Sequence, residues 1–295
     1  MALARRCPSD GKRAKIHELT PRVGWSIIRG VLLAVDLGNT NITYGIFREA
    51  ALERTFRTQT VRSRTADEYA VLLRQLLDFH GIRPGALHAA ILASVVPQLT
   101  EVLTQAIELV FGTSPLVVGP GMKTGIPVLY DNPHDVGADR VVNAVAAYER
   151  VHWPAIVVDF GTATTFDCIS PKGEYLGGII VPGIHVSLDG LMERAAKLRP
   201  IELAEPPRVV GKNTAHSLQS GVVFGYAAML DGLVDKIQRE LGYQCYVIGT
   251  GGLAALLAKQ SVALQSIDPD LTLHGLRILF DRNHPETQRR KSPER

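Results

Sequence analysis

An aspartate followed by a glycine turn of small hydroxyl and amide residues occurs twice in this chain. The first copy is Asp36-Leu37-Gly38-Asn39-Thr40-Asn41-Ile42-Thr43, the second Asp159-Phe160-Gly161-Thr162-Ala163-Thr164-Thr165. In both, an apolar run delivers the aspartate and a second apolar run follows the turn, so each reads as a β-hairpin. Glycine at such a tip lets the backbone come close to a ligand, and Asn and Thr side chains with free amides donate to phosphoryl oxygens. A carboxylate at the strand end can hold a metal ion or its water shell beside them. One strand ending in Asp-x-Gly is commonly a plain turn; two in one chain point to a phosphate site.

Other segments add chemistry. In Gly137-Ala138-Asp139-Arg140, Asp139 suits a helix N-cap or first turn and equally a proton acceptor. The next residue, Arg140, carries a planar fork matched to a carboxylate or to an ion pair between domains. Gly249-Thr250-Gly251-Gly252 follows an apolar run and precedes a helical one, a turn that lets a flat ligand lie against backbone. Residues 177–183, with three glycines, read as a tight active-site loop or strand-end corner of no assignable role. The nine histidines show no ligand spacing. Cys7, Cys168 and Cys245 are odd in number and widely spaced, which speaks against a disulfide framework or zinc site and for reduced, buried thiols.

Hydrophobic periodicity supplies the elements that must hold these groups. Strands are expected at 31–36, 42–47 and 52–58, then a helix at 66–79 with Tyr69, Leu72, Leu73, Leu76 and Leu77 on one face. A strand at 89–94, a helix at 99–111 and a short strand at 116–118 follow. A glycine- and proline-rich passage over 119–133 leads to a helix at 139–150. The pattern then restarts, with strands at 155–159, 164–169 and 174–180, helices at 185–198 and 219–241, a strand at 246–249 and a helix at 253–259. Two consecutive β-β-β-α-β-α units imply a duplicated α/β fold with its ligand between the halves and the link near 151–154.

Charge is uneven. Residues 1–30 hold seven Lys/Arg against two acids, and residues 281–295 five against three. The body between them is mildly acidic, with twenty Lys/Arg against twenty-four Asp/Glu, so the folded part has no electrostatic footprint for nucleic acid. No apolar run is long enough to span a bilayer, and the first thirty residues lack the apolar stretch of a secretory signal. A cytoplasmic enzyme with no membrane partner is expected. Its domains are a basic, disordered extension over 1–30, an N-terminal unit over 31–150, a C-terminal unit over 151–282 and a disordered tail over 283–295.

The two hairpins and the later Gly-Thr-Gly-Gly resemble the nucleotide site of the acetate and sugar kinase, heat-shock chaperone and actin superfamily. Asp36-Leu-Gly-Asn-Thr-Asn, Tyr130-Asp-Asn-Pro, Gly137-Ala-Asp-Arg140, Asp159-Phe-Gly-Thr-Ala-Thr-Thr165, Gly177-Gly-Ile-Ile-Val-Pro-Gly183 and Asn213-Thr214, in that order across about residues 31 to 280, are similar to one member family, the type III pantothenate kinases. The resemblance implies two ribonuclease H-like (actin-like ATPase) domains, mixed sheets flanked by helices, with a nucleotide cleft between them. It implies ATP-dependent phosphorylation of pantothenate at its primary hydroxyl, the first step towards coenzyme A.

By the same resemblance, Asp36 sits near Mg²⁺ in an ATP phosphate loop of Leu37, Gly38, Asn39, Thr40, Asn41, Ile42 and Thr43. Thr162, Gly251 and Gly252 also contact ATP, and Asp159 binds a monovalent cation, K⁺ or NH₄⁺. Asp139 is the general base. Tyr130, Gly137, Ala138, Asp139, Arg140 and Thr214 form the pantothenate site, completed across a homodimer. Other readings on the same scaffold are a sugar or acetate kinase, a non-catalytic ATP-binding regulator and a phosphohydrolase. The Gly-Ala-Asp-Arg segment speaks against the first, and the intact Asp139 against a scaffold that needs no base. The phosphohydrolase would need a base aimed at water.

Overall fold

The computed structural model describes residues 31–195 and 198–284. The extension expected over 1–30, and the tail beyond His284, lie outside the described residues, as does Cys7. Two five-stranded mixed sheets carry the chain. In the first, β1 (Val31–Leu37), β2 (Asn41–Arg48) and β3 (Ala51–Gln59) form an antiparallel meander. Helix α1 (Ala66–Phe79) then leads to β4 (Leu87–Ser94), and α2 (Pro97–Phe111) to β5 (Leu116–Val117), both strands added parallel to β1. The strand order is β3-β2-β1-β4-β5.

Helix α3 (Ala138–Val151) crosses to the second sheet. There β6 (Ala155–Phe160), β7 (Ala163–Ile169) and β8 (Tyr175–Pro182) repeat the meander. Helices α4 (Ile184–Arg194) and α5 (Thr214–Leu241) precede β9 (Tyr246–Gly251), and α6 (Ala254–Leu257) precedes β10 (Ser266–Ile267). The order β8-β7-β6-β9-β10 matches the first sheet strand for strand. This is a duplicated ribonuclease H-like, actin-like ATPase fold.

Alternation along the central strands decides where the aspartates point. On β1, Val31, Leu33 and Val35 enter a core closed by α1 and α2, while Leu32 and Ala34 face a second core. On β6, Ile156 and Val158 enter a third core beneath α4, α5 and α6, while Ala155 and Val157 face the second. That second core is shared between the sheets and filled by α3 and by α7 (Leu271–Asn283). Asp36 continues the Leu32–Ala34 face and Asp159 the Ala155–Val157 face. Both carboxylates therefore stand at the rim of the shared core, where apolar filling ends.

The expected elements appear with modest differences. Helix α1 has the expected bounds, set by a capping box between Thr65 and Glu68. Helix α5 begins five residues before the expected 219, because the Asn213 side chain accepts the His216 amide and caps it. Helix α4 stops at Arg194 rather than 198. Residues 177–182 belong to β8 and Gly183 is the corner that caps α4, so of the two expected readings the strand-end corner holds and the free loop does not. Neither β10 nor α7 was expected. In α7, Leu271, Leu273, Leu276, Ile278, Leu279 and Phe280 are all buried, so its sequence lacks the one-sided stripe that marks a surface helix. Although it follows the second sheet in the chain, α7 packs on β1, β2 and β4 of the first.

Helices α3 and α7 pass so closely that a Cβ on Gly275 would lie 2.3 Å from the Val142 carbonyl oxygen. Helix propensity alone favours alanine over glycine by about 1 kcal/mol, but overpacking against backbone costs about 1–3 kcal/mol or more. Gly275→Ala is expected to be net destabilising, read as a lower midpoint in urea denaturation. An unchanged or raised midpoint would show that the two helices can part without cost.

Candidate active site

The two hairpin tips meet. Thr40 and Thr162, 122 residues apart in sequence, share a hydroxyl–hydroxyl hydrogen bond of 2.9 Å. Around the first tip, Gly38 donates its amide to the Asn41 carbonyl, Thr60 Oγ1 donates to the Gly38 carbonyl at 2.7 Å, and Arg62 donates to Asn39 Oδ1 at 3.2 Å. Asn39, Thr40 and Asn41 are exposed, whereas the Leu37 and Ile42 side chains are fully buried in the first core. Leu37 and Ile42 can therefore offer a ligand only backbone. Thr43 lies opposite Asp36 in the β1–β2 register, on the cleft side.

Behind the tips three carboxylates converge. Burial, then the charges of Asp139 and Asp159, push Asp36 up to about 7. Burial, then Asp139 and Asp167, push Asp159 up to about 7, partly offset by a 3.2 Å hydrogen bond from Asn143 Nδ2. Thr272 of α7 donates to Asn143 Oδ1 at 2.7 Å, which fixes that amide. Asp139, in the first turn of α3, accepts the Arg140 amide on Oδ1 at 2.8 Å, and burial raises its pKa above the ordinary carboxylate value. Its helix-terminus role and a catalytic role are compatible, because the amide occupies one oxygen. Gly137 is the N-cap and makes no side-chain cap; Ala138 is the first helical residue.

Arg140 is buried and turned toward the second sheet. Its Nε donates to Asp167 Oδ1 at 2.7 Å, and the guanidinium carbon lies 5.8 Å from the Tyr175 ring centre. Tyr175 Oη donates to the same Asp167 oxygen at 2.9 Å, and Thr165 Oγ1 to Oδ2 at 3.2 Å. Tyr130, about one-third exposed, has its ring centre 6.4 Å from that of Tyr175. The ion pair that Arg140 could form between halves thus exists, with one edge of the guanidinium left over.

Two expected nucleotide glycines separate. Gly251 has φ +87°, and a Cβ there would lie 2.7 Å from Asp159 Oδ1, so its place is against the carboxylate. Gly252 faces open space. Thr214 stands exposed at the start of α5, and no hydrogen bond among the described residues joins it to Asp139, Arg140 or Tyr130. Sequence reasoning missed Asn143, Thr165, Asp167, Tyr175 and Thr272. Asp167 had a signal, an acid inside an otherwise apolar strand half, where an unpaired charge is not tolerated. Cys168 and Cys245 are buried free thiols, pushed by burial up to about 12 and about 11.

A family model for type III pantothenate kinases matches residues 32–236. The chain belongs to the type III pantothenate kinase family. Type III pantothenate kinases of Myxococcus xanthus and Moorella thermoacetica are 52% and 51% identical to it over 254 and 253 residues. Each alignment covers 86% of this chain, and 99% and 100% of those proteins. A solved structure described as a Baf family transcriptional activator from Campylobacter jejuni is 20% identical with a TM-score of 0.52, covering 85% of this chain and 97% of that one. That likeness speaks to the fold alone.

Carboxylates raised by burial are neutral in the folded protein at a pH where they ionise in the unfolded chain. Stability from this source is full below about pH 4 and is lost as pH rises through about 7. Asp36→Asn should therefore raise the melting temperature of the ligand-free protein at pH 8, by about 2–4 °C for each kcal/mol relieved. The gain should shrink toward pH 4. A variant no more stable than wild type at pH 8 would show that Asp36 is not under electrostatic load.

Proposed function

We propose that this kinase transfers the γ-phosphoryl group of ATP to the primary hydroxyl of pantothenate, the first step towards coenzyme A. The observation that carries the reading is the meeting of both hairpin tips above Asp36, Asp139 and Asp159, with Arg140 next to Asp139 in the chain. Phosphoryl transfer is mostly positioning and charge stabilisation, and this arrangement supplies both. The tip amides and the Asn39, Thr40 and Thr162 side chains cradle the phosphates. The acceptor's hydroxyl oxygen bonds to the γ-phosphorus as the bond to the β–γ bridging oxygen breaks, and ADP departs. The hydroxyl proton passes to Asp139, whose Oδ1 accepts the Arg140 amide and whose other oxygen is the one proposed to take the proton. Arg140 holds the acceptor's carboxylate, with Tyr130 beside it.

The donor set fits a hydrated Mg²⁺. Among the described residues no group of three or more His, Cys, Asp or Glu side chains could cage an ion. Mg²⁺ is commonly held by one or two carboxylates, phosphate oxygens and water. Asp36 would hold it through water, and its charge would neutralise that developing on the phosphates. Asp159, partnered by Asn143 and packed on Gly251, is the residue proposed to hold K⁺ or NH₄⁺. The adenosine end is assigned to Gly251 and Gly252.

The unit over 31–150 then forms one wall of the cleft and that over 151–282 the other. Exposed Ile180, Leu191, Val209 and Val210 offer apolar surface to a second copy, and in a homodimer Thr214 would serve the neighbour's acceptor. No helix among the described residues is long and apolar enough to cross a membrane, and the proposed setting is cytoplasmic.

The test is an ADP-coupled assay with pantothenate, ATP, Mg²⁺ and K⁺. Turnover of pantothenate but not of sugars or acetate is expected, whereas nucleotide binding without turnover would favour a regulator. Asp139→Asn should lower kcat by a factor of about 10²–10⁴ while ATP still binds. Near-normal turnover in that variant would remove Asp139 as base. Replacing K⁺ by Na⁺ should slow the rate, and equal rates would withdraw the monovalent ion from Asp159.

A further inference from the structure

Arg140 is held more firmly than an acceptor contact requires. Each guanidinium nitrogen is differently placed. Nε donates to Asp167 Oδ1 at 2.7 Å, Nη2 is enclosed without a hydrogen-bond partner, and Nη1 has none among the described residues yet is not enclosed. Asp167 is itself fully buried and triply committed, to Arg140, to Tyr175 Oη at 2.9 Å and to Thr165 Oγ1 at 3.2 Å. Three elements thus meet at one carboxylate: α3 through Arg140, β8 through Tyr175, and β7 itself. An enclosed N–H without a partner costs on the order of 1–3 kcal/mol, and the fold tolerates that incomplete pairing at Arg140.

We propose that Asp167 is a positioning residue for the acceptor, which with Tyr175 locks the Arg140 guanidinium by its Nε side so that Nη1 is presented to the acceptor's carboxylate. This rests on the reading that Arg140 binds that carboxylate. A long arginine side chain loses rotamer freedom when it binds. Here the loss is already taken in the folded protein, so an incoming carboxylate meets a fork fixed in the right plane. Nη1, which is not enclosed, is the nitrogen left for that carboxylate, while Nη2 stays packed against Gly178. An acceptor without the carboxylate forgoes the charged contact at Nη1, so the lock also selects for acidic acceptors.

The role belongs to geometry rather than to Asp167's charge, and this sets the test. In Asp167→Asn the amide oxygen still accepts from Arg140 Nε and Tyr175 Oη, while its nitrogen donates to Thr165. In Asp167→Ala all three contacts go. The expected result is a pantothenate KM raised about tenfold or more in Asp167→Ala, with the KM for ATP within about twofold. Asp167→Asn should recover most of that loss. With the acceptor's carboxylate converted to a primary amide, wild type and Asp167→Ala should differ little.

Equal losses with carboxylate and amide acceptors, equal losses in the Asn and Ala variants, or a matching rise in the KM for ATP would each overturn the proposal. Should Asp167→Ala not fold, Tyr175→Phe, which removes one hydroxyl, carries the same prediction with a smaller rise confined to pantothenate. No such rise would likewise overturn it. Arg140→Ala separates the two levels of inference. If Arg140→Ala raises the KM for carboxylate and amide acceptors equally, the carboxylate reading itself falls. If its loss is confined to the carboxylate acceptor and that of the Asp167 variants is not, only the positioning role falls.

Discussion

Three carboxylates held together at the rim of a shared core are the constraint on which the rest of this structure depends. Burial and mutual repulsion push Asp36 and Asp159 to about 7, and Asp139 is raised in the same direction. What the protein itself offers them does not offset burial: the Asn143 amide, the backbone N–H groups of Asp139 and Arg140, and the charges of Arg140 and Arg57. Such a cluster is under electrostatic load, and it persists only because its surroundings are over-determined. The shared core, which takes Leu32 and Ala34 from one sheet and Ala155 and Val157 from the other, supplies that determination.

Helix α3 concentrates the task. Asp139 and Asn143 are four residues apart and so lie on one face, which turns both toward the cleft and Asp159. Arg140 is rotated to the next face and reaches Asp167 on β7. Three functional side chains thus occupy five residues of one rigid element. Helix α7 holds that element from behind, by the close pass at Gly275 and by Thr272 on Asn143. A chain segment remote in sequence from both hairpins thereby fixes the distance between them and the start of α3.

Much of this was legible in the residues. The paired Asp-x-Gly turns announced two hairpins, and strand alternation is strong enough that the facing of Asp36 and Asp159 follows once the strands are placed. The helix over 66–79 carries its own capping signal at Thr65 and Glu68. Helix α7 was not legible, because a helix buried on nearly every side shows no polar stripe, and β10 is only two residues long. The partners of Arg140 were hidden for another reason. Tyr175 and Asp167 meet it through strand pairing between β7 and β8 and through the crossing of α3, and local pattern carries no record of either. Thr214 stands exposed and apart from the cluster within one chain.

The two halves are duplicated in strand order but not in chemistry. Two residues before each strand-end aspartate lies an equivalent slot in the neighbouring strand: Ala34 faces Gly45, and Val157 faces Asp167. In the first half that slot holds glycine, where a Cβ would lie 2.9 Å from Leu273, so helix α7 closes over it and the space becomes core. In the second half the same slot holds a buried acid, and the residue that closes over it is Arg140 from α3. Two copies of one strand arrangement have been put to opposite uses, apolar docking on one side and a charged clamp on the other. Strand order can therefore be symmetric while the chemistry is not. The asymmetry resides in which helix covers each slot, and that choice sets a buried arginine against the second sheet where the first has only apolar packing.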